Sequence, residues 1–150
     1  INKNLARACR EFGLGFGLGS CRKLIDNPES FSDFDVKEII GPDLPFYANL
    51  GVAQVEQWFQ NAQQDKLKKI VDLLRADGLI VHINPLQEYM QAEGDRFKYK
   101  PIDTIKKVLD HFAFPVIVKE VGQGMGPASL KALLESVSYT HLTLPTSDLV

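Results

Sequence analysis

The chain has 150 residues, 45% of them hydrophobic, with 17 Lys+Arg against 19 Asp+Glu and a formal net charge of −2. That is enough apolar material for one domain core, and a near-neutral chain with no basic stripe argues against nucleic acid or an anionic membrane surface as main partner. No apolar run reaches the ~18 residues of a membrane span, no signal peptide opens the chain, and Cys9 and Cys21 lack metal or redox spacing, so a cytoplasmic protein with reduced thiols is expected.

In chain order, Leu5, Ala8, Cys9 and Phe12 recur at helical spacing and Gly13 is a suitable stop, predicting a first helix. It begins at once after Ile1, so the chain is expected to be an internal piece of something longer. "LGFGL" at 14–18 reads as a short buried strand, and a polar stretch with helical patches leads to a second strand, "FYANL" at 46–50. "QDKLKKIVDLLRADG" sets Leu67, Ile70, Val71 and Leu74 on one helix face, with Gly78 as its expected end, before a third strand, "LIVH". "PIDTIKKVLDHF" does the same with Ile102, Ile105, Val108, Leu109 and Phe112 behind Pro101; "PVIVKEV" is a fourth strand and "GPASLKALLES" a further helix.

Apolar strands alternating with amphipathic helices predict an α/β fold with a parallel sheet and right-handed crossovers. An open doubly wound sheet and a partial (β/α)8 TIM barrel, with four strands of eight, both satisfy the order. Polar residues gather where the strands end: Ser20 and Arg22 after the first, Asn49 on the second, His82 on the third, Lys119 and Glu120 on the fourth. In α/β folds that edge is where binding sites form.

The segment "VHINPLQEYMQAEGDR" packs His82, Asn84, Gln87 and Glu88 into seven residues. Histidine and amides donate to phosphate oxygens, whereas a carboxylate meets phosphate only through a cation. The residues fit either a Mg2+-bridged phosphate site or an Asn-Pro turn that caps the next helix. Lys119 leaves a buried strand with an ammonium that needs an anionic or electron-rich partner. Arg22 behind Gly19-Ser20 suits phosphate bidentately, and "GQGMG" at 122–126 is a weak phosphate-loop signal that lacks the Lys-[Ser/Thr] ending.

Taken together, "FGLGFGLGSCR", "ANLG", "VHINPLQEYMQAEGDR" and "PVIVKEVGQGM" resemble type II isopentenyl-diphosphate isomerase, a family of flavin-dependent (β/α)8 enzymes. The resemblance implies interconversion of isopentenyl and dimethylallyl diphosphate with reduced FMN, Mg2+ and NADPH as flavin reductant. It assigns Ser20, Asn49 and Lys119 to the flavin, and Arg22, His82, Asn84 and Gln87 to the diphosphate substrate. Gln87 would lie beside the reacting carbons as the catalytic position, and Glu88 would ligate the metal. It also implies a homo-oligomeric parent enzyme, of which this chain would be an inactive fragment. Cys21 and Gly126-Pro127 depart from the family pattern. A related FMN-dependent barrel oxidoreductase and a non-catalytic phosphate-binding module are the competing readings. The stretch 137–146, "VSYTHLTLPT", resembles a translated DNA adapter, so residues 1–136 are expected to form the partial barrel and 137–150 a non-native tail.

Overall fold

The computed structural model describes residues 1–84, 98–122 and 124–136, and the backbone of 140–142. Helices and strands are numbered in chain order among these residues. α1 (Asn2–Glu11) precedes β1 (Phe16–Gly17), followed by the short helices α2 (Arg22–Asp26), α3 (Phe31–Phe34) and α4 (Lys37–Ile40). β2 (Phe46–Gly51) then leads into α5 (Val52–Gln60) and α6 (Asp65–Leu74), and β3 (Gly78–His82) follows. α7 (Pro101–His111), β4 (Val116–Lys119), α8 (Pro127–Ser136) and β5 (Thr140–Leu142) complete the order. All strand pairs are parallel and the sheet runs β1-β2-β3-β4-β5. The first four strands curl into half a barrel wall flanked by helices, the α/β partial barrel expected.

The sheet is two-faced, because successive side chains alternate. Ala48 and Leu50 on β2, Leu79 and Val81 on β3, and Val116 and Val118 on β4 are at most 2% exposed beneath the helices. Each buried Val or Leu contributes roughly 1.5–3 kcal/mol of transfer free energy. On the other face Asn49 and Gly51 lie beside Ile80 and His82, which lie beside Ile117 and Lys119. That face is apolar low down and polar at the carboxyl ends.

Several local expectations are corrected. The second strand is followed directly by α5, which the periodicity reading passed over although Val52, Val55 and Trp58 sit on one buried stripe. α6 stops at Leu74, where Arg75 takes a left-handed φ of 55°, and Gly78 belongs to β3. Gly78 is needed there for approach: a Cβ would lie 2.3 Å from the Pro115 carbonyl oxygen. α1 buries Ala6, not the predicted stripe; Leu5 is 49% and Phe12 72% exposed. The cause is its docking on α3 and α4, where the Asn2 amide donates to the Asp33 carbonyl and Arg10 to that of Ile40. Gly13 does end this helix, at φ +64°.

Candidate functional site

Parallel register brings Gly51, His82 and Lys119 side by side at the carboxyl ends of β2, β3 and β4. Asn49, one side-chain step below Gly51, is 5% exposed. Its Nδ2 donates to the Leu18 carbonyl oxygen at 2.8 Å, and its Oδ1 lies 2.9 Å from His82 Nδ1. One amide therefore joins β1's exit, β2 and β3 just past the end of the β1–β2 ladder. His82 is half-buried, and burial first, then the positive field of Lys119, push its pKa below the ordinary 6.5. Lys119 Nζ donates to the Glu120 carbonyl oxygen at 3.1 Å, and the Ile83 N–H donates to the Lys119 carbonyl at 2.7 Å, which holds the end of β3 against β4.

The remaining expected residues lie around this group. Asn84 is 6% exposed. Arg22 is exposed on the first turn of α2, with Nε 3.9 Å from Asp26 Oδ2, and its backbone N–H donates to Ser20 Oγ at 3.4 Å. Cys21 between them is fully buried, its thiol pushed up to about 11 by burial, and so stays protonated. Gln87 and Glu88 lie outside the described residues. Among the described residues no cluster of three His, Cys, Asp or Glu side chains could hold a metal.

The loop at 122–126 is corrected as a phosphate cradle. The N–H groups of Gly122 and Gly124 donate to Glu120 Oε2 at 2.6 and 2.8 Å, so the loop's own carboxylate fills the anion position. Positive φ values of 114° and 77° at these two glycines turn both N–H groups toward it. A cavity of about 560 Å3 opens on the helix side, between α7 and α8, with Ile83, Lys100, Glu120, Met125 and Ser129 on its wall. Asn49, His82 and Lys119 are not in its lining.

A residue the sequence reading missed is Glu56, on α5 and 4% exposed. Its Oε1 accepts from Gln60 Nε2 at 2.6 Å and from the Lys98 backbone N–H at 2.8 Å, while Oε2 is buried without a hydrogen-bond partner. Glu56 thereby anchors the chain where it returns after the His82–Glu88 segment. Its signal was a carboxylate inside an apolar helical stripe.

Of the groups a cofactor could meet, the Lys119 ammonium is the strand-end cation, Ser20 offers a hydroxyl beside an exposed loop, and Asn49 has both ends of its amide engaged within the sheet. Together with His82 this rim suits a ligand carrying negative charge.

No protein-family model matches the chain. Over 135 residues it is 39% identical to the isopentenyl-diphosphate delta-isomerase of Deinococcus radiodurans, which covers 90% of this chain and 39% of that protein. It is 38% identical over 136 residues to the protein of that name from Rickettsia peacockii, covering 91% and 39%. For Rickettsia typhi the figures are 36% over 135 residues, 90% and 38%. The chain thus spans about two-fifths of the length of these curated relatives. Their names carry no type, no flavin and no metal, which corrects the type II resemblance and the activity expected to run on reduced FMN and Mg2+. What stands is a likeness to isopentenyl-diphosphate delta-isomerases along nine-tenths of this chain.

Proposed function

We propose that this chain supplies part of the active site of an isomerase that moves the double bond of isopentenyl diphosphate to give dimethylallyl diphosphate. The observation that carries the reading is the 39% identity to a named isopentenyl-diphosphate delta-isomerase over 135 residues. It is supported by the polar rim at the strand ends, where Asn49, His82 and Lys119 converge. Moving a double bond requires a proton to leave one carbon and another to arrive two carbons away, while the diphosphate stays intact and held in place. Arg22, His82 and Asn84 are the proposed diphosphate contacts, and Gln87 the residue beside the reacting carbons. The buried strands give His82 and Lys119 fixed stems, so the anion is held by groups already in position before it arrives.

The test is a hybrid in which residues 1–136 replace the matched segment of the Deinococcus radiodurans relative. FMN, NADPH and Mg2+ are supplied singly and together, so that any requirement is read from the result. Conversion of isopentenyl diphosphate to its allylic isomer is expected, and His82→Ala should lower kcat/KM about ten- to a hundredfold, the loss of one charge-assisted hydrogen bond. A hybrid that folds, as judged by circular dichroism and gel filtration, yet converts nothing under any addition would sink the proposal.

A further inference from the structure

The amide of Asn49 has a fixed sense. Because Nδ2 donates to the Leu18 carbonyl oxygen at 2.8 Å, the atom facing His82 Nδ1 at 2.9 Å is the amide oxygen. Turning the amide over would set oxygen against oxygen at Leu18. An amide oxygen only accepts, so the hydrogen between Asn49 and His82 belongs to Nδ1 of the imidazole. The ring nitrogen left to change its protonation is Nε2.

We infer that Asn49 is a positioning residue: it holds His82 in the Nδ1–H tautomer, so that Nε2 takes up a proton when an anionic diphosphate group binds beside Lys119. The inference deepens the proposed function and rests on it for the identity of the ligand. The tautomer rests on the hydrogen bonds alone.

The surroundings of His82 set the direction. From β4 it meets the cation Lys119, aligned with it in register. From β2 it meets the uncharged Asn49, and at the exit of β1 the buried Cys21, protonated with its thiol near 11, lies against Asn49's backbone. Glu120, beyond Lys119, keeps its carboxylate on the N–H groups of Gly122 and Gly124. With a cation beside it and partial burial, the free imidazole is neutral near pH 7 and Nε2 carries a lone pair, an acceptor that repels phosphate oxygens. An arriving anion neutralises the field of Lys119 and offers an acceptor to a protonated Nε2. Binding and protonation then reinforce each other.

The experiment uses the 150-residue chain labelled with 15N at its three histidines, of which His82 is assigned by the signal lost in His82→Gln. Long-range 1H–15N correlation should show His82 with a protonated Nδ1 and an unprotonated Nε2. Asn49→Ala should move the ring toward the Nε2–H form, whereas Asn49→Asp, which keeps an acceptor at Nδ1 but sets an oxygen against the Leu18 carbonyl and favours the charged imidazole, should keep Nδ1 protonated and raise the titration midpoint of the ring. A native ring protonated at Nε2, or an unchanged tautomer in Asn49→Ala, overturns the positioning role. If Asn49→Ala does not fold, the native spectrum still decides, since a ring protonated at Nε2 overturns the positioning role whatever the variant does. Inorganic pyrophosphate is then titrated by calorimetry in buffers of different ionisation enthalpy. Proton uptake near pH 7.5 in excess of that seen with His82→Gln, which shares the protons of pyrophosphate itself, is expected, with affinity falling up to about tenfold per pH unit. Binding without that excess uptake overturns the coupling, and failure of pyrophosphate to bind a chain with the expected tautomer removes the diphosphate reading and the coupling, while the tautomer result stands.

Discussion

Two polar residues, half-buried His82 and buried Glu56, carry the predictions at the residue scale. The folded-state pKa of His82 is depressed below its ordinary value of 6.5, so protonation favours the unfolded chain. The stabilising contribution of a neutral His82 is complete above about pH 6.5 and is lost as pH falls through 6.5 toward the folded pKa. Thermal unfolding of the chain should therefore drop between about pH 7 and pH 5, and the drop should be smaller in His82→Gln; equal slopes in the two proteins would contradict it. Glu56→Ala removes the acceptor for Gln60 and the Lys98 N–H, and should cost about 1–3 kcal/mol, read as a midpoint lower by several degrees. Glu56→Gln keeps Oε1 and replaces only the oxygen that has no partner, so it should stay within about 1 kcal/mol. The position of His82 could be read from the sequence because it ends an apolar run. Its bond to Asn49 could not, since the two are 33 residues apart and meet only through the register of β2 on β3. Glu56 is hard to read from sequence because its helix, α5, follows β2 with no intervening loop.

At the scale of elements, the strand–helix alternation was legible wherever a helix had a full stripe, as in α6 and α7 with Pro101 opening the latter. It failed where docking on another helix, not on the sheet, decides the face: α1 shows how a plausible stripe can end up outward. Gly78 shows the other failure. Read locally, a glycine after "RAD" terminates a helix; in three dimensions its missing side chain lets β3 start against Pro115 and the Tyr47 ring. Gly78→Ala should be costly for this reason, by about 2 kcal/mol or more, because the nearest atom is a backbone oxygen that cannot move aside. Urea unfolding checks it: an unchanged midpoint would show that β3 can shift without loss. Leu74→Ala, at a fully buried position one turn earlier, provides a reference loss of about 2–5 kcal/mol.

For the molecule as a whole, the sheet has a helix-covered side and a side that carries polar chemistry at its upper rim. Near the β1 edge, Phe12 and Leu14 are 72% and 56% exposed. Exposed apolar side chains next to a strand edge favour association. Light scattering of the chain should show mass rising with concentration, and Phe12→Glu with Leu14→Lys should suppress it; a strictly monomeric parent chain would refute this. The two-sidedness has a further consequence in the arithmetic of residue numbers. On β2 and β4 the helix-side positions are even (48, 50; 116, 118), and on β3 they are odd (79, 81), with the rim residues 49, 82 and 119 on the opposite parity of each strand. A complete substitution scan should therefore trace a sawtooth along every strand. One set of teeth would mark the larger loss of stability, the interleaved set the smaller, and their phase would invert from β2 to β3 and back again at β4.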